Sequence, residues 1–160
     1  MRSRTGLKMT TVSQENSVIK MKKVLFVCTG NTCRSPMAEA LFNFLSRDTD
    51  LSSASCGIYG DGISPISENA KRALDEKGIE FSHVSTPISR ELIDSADIIL
   101  GMTENHARTI ISMFPHAKDK VYAMPIDISD PYGGNLQVYR NCCEQIEDCI
   151  RQLIKTILGE

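Results

Sequence analysis

A chain of 160 residues with 41% hydrophobic and 24% charged side chains suits one globular domain with a single core. Its net charge of -2, the absence of any basic run, and an aromatic content of 6% without Trp exclude a nucleic-acid binder, which needs a positive face or a stacking platform. No stretch reaches the roughly 20 apolar residues of a membrane span, so neither nucleic acid nor membrane is an expected partner.

Residues 1–20 are polar and unpatterned, with no apolar run of signal-peptide length. Met21-Lys22-Lys23 then leads straight into a hydrophobic segment. The expected organisation is a flexible tail or foreign remnant over 1–20 and one folded domain over 21–160, in the cytoplasm.

Val24-Leu25-Phe26-Val27 is a continuous apolar run, as a strand buried on both faces requires. Pro36 suits a first helical turn, and Met37, Ala40, Leu41, Phe44 and Leu45 repeat at helical spacing, which predicts a helix over 36–47. Residues 51–56 give a weaker strand. Gly57, Gly60, Gly62 and Pro65 mark a loop, and Ser67 caps a helix carrying Ala70, Ala73 and Leu74 that Gly78 closes. Ile98-Ile99-Leu100 reads as a third strand. Thr103 caps a helix with Ala107, Ile110, Ile111 and Phe114 on one face, ended by Pro115. Val121-Tyr122-Ala123-Met124 is the fourth strand, 126–135 a loop, and Ile146, Cys149, Ile150, Leu153, Ile154 and Ile157 mark a long last helix. This alternation predicts an α/β fold: a single-domain, three-layer sandwich with a four-stranded parallel sheet and helices on both faces.

The six cysteines, Cys28, Cys33, Cys56, Cys142, Cys143 and Cys149, have no zinc spacing, and His83, His106 and His116 lie far from the first pair in sequence. Reduced thiols are expected, with no metal and no cofactor. Cys142, Cys143 and Cys149 read as packing residues, and His106 and His116 as ordinary helix and loop residues.

The informative segment is Cys28-Thr29-Gly30-Asn31-Thr32-Cys33-Arg34-Ser35-Pro36, between the first strand and the first helix. In parallel α/β folds ligands bind at the carboxyl ends of strands. A loop wrapping there, before a helix N-terminus, aims backbone N–H groups into one cavity and favours an anion such as phosphate. Gly30 and Asn31 accept left-handed backbone. The same field should lower the Cys28 thiol toward its nucleophilic thiolate. Arg34 supplies a planar fork for two phosphate oxygens, and Ser35 a hydroxyl for the sulfur. A lone Cys with an Arg six positions on means little; the whole run between a strand and a helix carries the reading.

This run resembles the phosphate-binding loop of the low-molecular-weight protein tyrosine phosphatases, with its Cys-x-Gly-Asn-x-Cys-Arg-Ser pattern, and the resemblance extends over most of 21–160. It implies a phosphatase in which Cys28 forms a phosphocysteine that water then hydrolyses, with Thr29, Gly30, Asn31, Thr32, Cys33 and Ser35 around the phosphate. Asp130, in Asp130-Pro131-Tyr132-Gly133-Gly134, stands where the family carries its proton donor; Asp127 is the nearby competitor, without the following proline. His83 resembles a family histidine that braces the loop Asn, here Asn31, and reads equally as a surface-edge residue. Two readings of Cys33 also stay open, a packed loop residue or a disulfide partner protecting Cys28.

Thr32, with the run from Cys28 to Glu39, is similar to the bacterial protein-arginine phosphatase branch, as is Tyr132-Gly133-Gly134. A hydroxyl suits the polar surroundings of a phosphoguanidinium, whereas a phenyl ring prefers an apolar wall. Tyr59 is a candidate for the opposite wall from Tyr132. The expected substrates are therefore phosphorylated proteins, with phosphoarginine ahead of phosphotyrosine and inorganic phosphate as product. An arsenate reductase would need relay cysteines, and none lies between Cys56 and Cys142. A non-catalytic phosphate-binding module would not need both Cys28 and Asp130.

Overall fold

The computed structural model describes residues 22–160, so the expected tail over 1–20 and the start at Met21 lie outside the described residues. The first apolar run forms strand β1, Lys22–Cys28. Its side chains alternate between two cores: Val24, Phe26 and Cys28 face one, and Leu25 and Val27 the other. Burial on both faces is why this strand shows no polar alternation.

Strands β2 (Leu51–Gly57), β3 (Ile98–Gly101) and β4 (Val121–Ala123) complete a parallel sheet in the order β2-β1-β3-β4. β2 is an edge strand, half-buried over its first four residues, which accounts for its weak apolar signal. Helices α1 (Arg34–Leu45), α2 (Glu68–Glu76) and α5 (Leu136–Leu158) cover the first core, and α3 (Arg90–Ser95) and α4 (Glu104–Met113) the second. The three-layer sandwich is thus the observed fold.

The caps follow ordinary helix chemistry. Ser67, Thr103 and Asn135 accept the N–H groups of Ala70, His106 and Val138, and Gly159, at φ 80°, ends α5. Several boundaries differ from the sequence reading. α1 begins at Arg34 rather than Pro36, because the preceding loop turns directly into the helix. The six-residue α3, capped by Ser89, is too short to show periodicity and was not expected. A 3-10 turn at Pro115–Lys120 separates α4 from β4. α5 starts at Leu136, its early turns carrying exposed polar residues.

All six cysteines are free thiols, and those on α5 pack into the core as expected. Among the described residues, no helix is long and apolar enough to cross a membrane. The chain runs from β1 to β2 on one side, then returns to β3 on the other. This reversal leaves a crevice beyond the carboxyl end of β1, where the Cys28–Arg34 loop lies.

Candidate active site

Cys28 ends β1 and is 2% exposed. Its Sγ lies 2.8 Å from the Ser35 hydroxyl and accepts the Asn31 N–H at 3.3 Å. The loop turns at Asn31, whose φ of 59° places it in the left-handed region. Gly30, expected to share that role, has no positive φ. Asn suits such a position because its side chain bonds locally.

The orientation of the Asn31 amide follows from its neighbours. Oδ1 accepts the backbone N–H of Thr86 at 2.8 Å, so this atom must be the oxygen. His83 Nε2 donates to the same oxygen at 2.7 Å. Nδ2 then donates to Ser35 Oγ at 2.8 Å and Ser55 Oγ at 3.0 Å. Ser55 in turn donates to Glu39 Oε1 at 2.6 Å. With Ser35 Oγ accepting from Asn31, its proton has the sulfur at 2.8 Å and the Cys56 carbonyl at 3.5 Å as acceptors, and the shorter contact favours the sulfur. The network therefore points a donor at Cys28.

His83 is thus hydrogen-bonded to Asn31, and burial holds its imidazole below the ordinary range, consistent with a neutral ring donating through Nε2. Burial likewise raises the Glu39 carboxyl, whose Oε1 lies 3.8 Å from His83 Nδ1. Gly57 makes the close approach of β2 possible, since a Cβ there would fall 2.7 Å from the Thr29 carbonyl oxygen and 2.9 Å from Asn31 Cβ.

Burial is the largest influence on the Cys28 thiol and pushes it up. The Ser35 hydroxyl and N–H, Arg34 and the Asn31 N–H pull it down. The balance is upward, opposite to the sequence expectation, because so little of the sulfur meets water. Each donor consequently matters to the anion. Ser35→Ala is expected to move Cys28 alkylation to higher pH, measured as iodoacetamide rate against pH. An unmoved profile would separate Ser35 from the thiolate. The variant should also lose about 1–3 kcal/mol of stability, since Asn31 Nδ2 loses a buried acceptor.

Arg34, 6% exposed, opens α1. Nη1 donates to the Ile128 carbonyl at 3.0 Å, and Nη2 lies 3.6 Å from Asp130 Oδ2. Asp130 keeps 54% of its side chain exposed, and its Oδ1 accepts the Tyr132 N–H at 3.1 Å. The competitor Asp127 instead accepts the first N–H of α4, from Glu104, at 2.9 Å. Of the two carboxylates, Asp130 is the one paired with Arg34.

Thr29 is exposed and Thr32 half-buried in the loop. Cys33 Sγ lies 3.5 Å from Ser67 Oγ and 3.4 Å from the Tyr139 hydroxyl, which gives it packed polar neighbours. Tyr59 and Tyr132 are 78% and 81% exposed. The Tyr59 N–H donates to the Thr29 carbonyl at 2.8 Å, which ties its backbone to the loop. The sequence reading did not single out Ser55, Glu39, Thr86 or His106. Ser55 and Thr86 come from distant segments without a motif, and Glu39 closes the run that begins at Cys28 but carried no role of its own there; His106 follows a strand end beside β1, a position that topology alone makes notable.

This constellation combines a buried sulfur with hydrogen-bond donors, a guanidinium and a solvent-facing carboxylate. Such a set can bind a phosphoryl group and exchange it between the sulfur and water. Comparison with known proteins agrees. Over 146 residues the chain is 41% identical to the protein-arginine-phosphatase of Geobacillus stearothermophilus, covering 86% of this chain and 97% of that one. Over 143 residues it is 39% identical to the protein-arginine-phosphatase of Bacillus subtilis, covering 84% and 95%. A solved structure of YwlE arginine phosphatase, a Cys-to-Ser mutant with a phosphorylated active-site serine, superposes with a TM-score of 0.78 at 39% identity, covering 83% and 93%. The sequence profile of the low molecular weight phosphotyrosine protein phosphatases matches residues 23–160. The chain belongs to that family of cysteine-based phosphatases, and is a hydrolase.

Proposed function

We propose that this chain removes the phosphoryl group from phosphoarginine on proteins, with Cys28 as nucleophile, Arg34 as phosphate fork and Asp130 as proton donor. The observation that carries the reaction is the Cys28 sulfur held by Ser35 at 2.8 Å and the Asn31 N–H at 3.3 Å, with Arg34 and Asp130 paired nearby.

In the first step the Cys28 thiolate attacks phosphorus, and the bond from phosphorus to the guanidino nitrogen breaks. Asp130 gives its proton to that nitrogen, so it leaves as an NH2 group of the arginine guanidinium rather than as an anion. The loop amides and Arg34 carry the charge on the equatorial oxygens. In the second step water attacks the phosphocysteine, Asp130 takes the water proton, and the S–P bond breaks to regenerate thiolate and release phosphate. Tyr59 and Tyr132, both exposed, are assigned to the walls beside the substrate side chain.

Phosphoarginine is favoured over phosphotyrosine by Thr32, whose hydroxyl stands in the loop between nucleophile and fork, and by the similarity to two protein-arginine phosphatases. Matched peptides bearing phosphoarginine or phosphotyrosine test this choice. The wild type should prefer phosphoarginine, and Thr32→Ile should shift the kcat/KM ratio toward phosphotyrosine by about tenfold or more, the order expected from exchanging a pocket hydroxyl for an apolar group. A wild type that prefers phosphotyrosine would overturn the arginine reading.

A further inference from the structure

His106 is 7% exposed, although it sits in the first turn of α4. It reaches the phosphate loop because β3 ends in Gly101. A Cβ there would lie 2.6 Å from the Ala107 nitrogen and 3.0 Å from His106 Cβ, so only glycine lets this helix start so close to the sheet. The ring then spans two hydroxyls, with Nε2 2.9 Å from Thr29 Oγ1 and Nδ1 2.9 Å from Thr103 Oγ1. Burial and the Arg34 charge drive its pKa down to about 4, so the imidazole is neutral near pH 7.

A neutral ring carries one proton, and the inventory of donors locates it. Thr103 Oγ1 already accepts the His106 backbone N–H at 3.2 Å as the helix cap. If Nδ1 carried the proton, Thr103 Oγ1 would accept twice, and the proton of this half-buried hydroxyl would be left to solvent. If Nε2 carries the proton, Thr103 donates to Nδ1 and every group is used. Nε2–H then donates to Thr29 Oγ1. The Thr29 hydroxyl proton is left over, on an exposed residue next to the nucleophile.

We infer that His106 is a positioning residue, which orients the Thr29 hydroxyl so that it donates a hydrogen bond to a phosphoryl oxygen of the bound substrate. The inference rests on the phosphatase reading of the loop, but not on the choice of phosphoarginine. It gives Thr29 a side-chain role beyond its place in the loop, and gives α4 a part in phosphate binding.

The test compares Thr29→Val, His106→Leu, His106→Gln and the double variant Thr29→Val/His106→Leu. Two readouts are used: inhibition or direct calorimetric binding of inorganic phosphate, and kcat and KM with a phosphorylated substrate. Thr29→Val and His106→Leu should each weaken phosphate binding and kcat/KM by about tenfold, the order of one hydrogen bond to a charged group. The double variant should be no worse than either single. His106→Gln retains an N–H in the Nε2 region and should recover most of the loss.

Additive effects, or a His106→Gln variant no better than His106→Leu, would overturn the inference by reducing His106 to a packing residue. Thr29→Val lies on an exposed side chain and keeps the test decisive if His106→Leu does not fold; undiminished phosphate binding in Thr29→Val also overturns it. Calorimetric binding separates this outcome from failure of the phosphatase reading, in which the wild type hydrolyses no phosphorylated substrate.

Discussion

Cys28→Ser is expected to lower turnover by roughly 10^4-fold or more, the order seen when a covalent nucleophile is removed, while leaving the fold and phosphate binding largely intact. The sulfur is 2% exposed and its surroundings are set by the backbone N–H of Asn31 and the hydroxyl of Ser35. An oxygen at this position can keep both contacts, so little packing is lost. A hydroxyl, however, is a far weaker nucleophile at neutral pH than a thiolate. The measurement is single-turnover hydrolysis together with capture of phosphorylated proteins on the immobilised variant. Phosphoryl transfer at wild-type rate would remove Cys28 from the chemistry. Loss of phosphate binding along with turnover would instead mean that the sulfur shapes the loop.

Arg34→Lys has the second large effect. Kcat/KM should fall by about 10^3-fold, the lower end of what a transition-state arginine contributes to phosphoryl transfer. Lysine retains the charge but not the planar fork. In the structure one edge of the guanidinium is engaged, with Nη1 on the Ile128 carbonyl, while Nη2 faces Asp130 at 3.6 Å. The substitution should also leave that buried carbonyl without its donor, costing about 1–3 kcal/mol of stability. Thermal unfolding beside kinetics distinguishes the two roles. A purely structural Arg34 would lower the melting temperature and leave the rate nearly unchanged.

The sequence was most legible where one feature occupied one short segment. β1 is buried on both faces, so its apolar run is continuous, and the loop from Cys28 to Arg34 contains its nucleophile, turn residue and fork within seven positions. The partners of Asn31 were illegible for the opposite reason. Ser55, His83 and Thr86 arrive from β2 and from a strap after α2, and only the folded chain brings them together. Of these, only His83 was found, through family resemblance. The direction in which Cys28 is shifted differs from the sequence expectation because sequence shows the donors around a thiol but not the depth of its burial. His106 looked ordinary because a single histidine on a helix carries no pattern; its meaning depends on Gly101, which closes β3 directly after Ile98-Ile99-Leu100.

The left-handed turn at Asn31 has a consequence for the enzyme's working cycle. Its side-chain amide uses both donors and both acceptor positions on Ser35, Ser55, His83 and Thr86. The curvature of the phosphate cradle is therefore stitched to several parts of the domain. Its conformational entropy is surrendered once, when the chain folds, rather than at each encounter with a substrate. A ligand meets a receptacle already shaped for it, and release of phosphate requires no rearrangement of that turn.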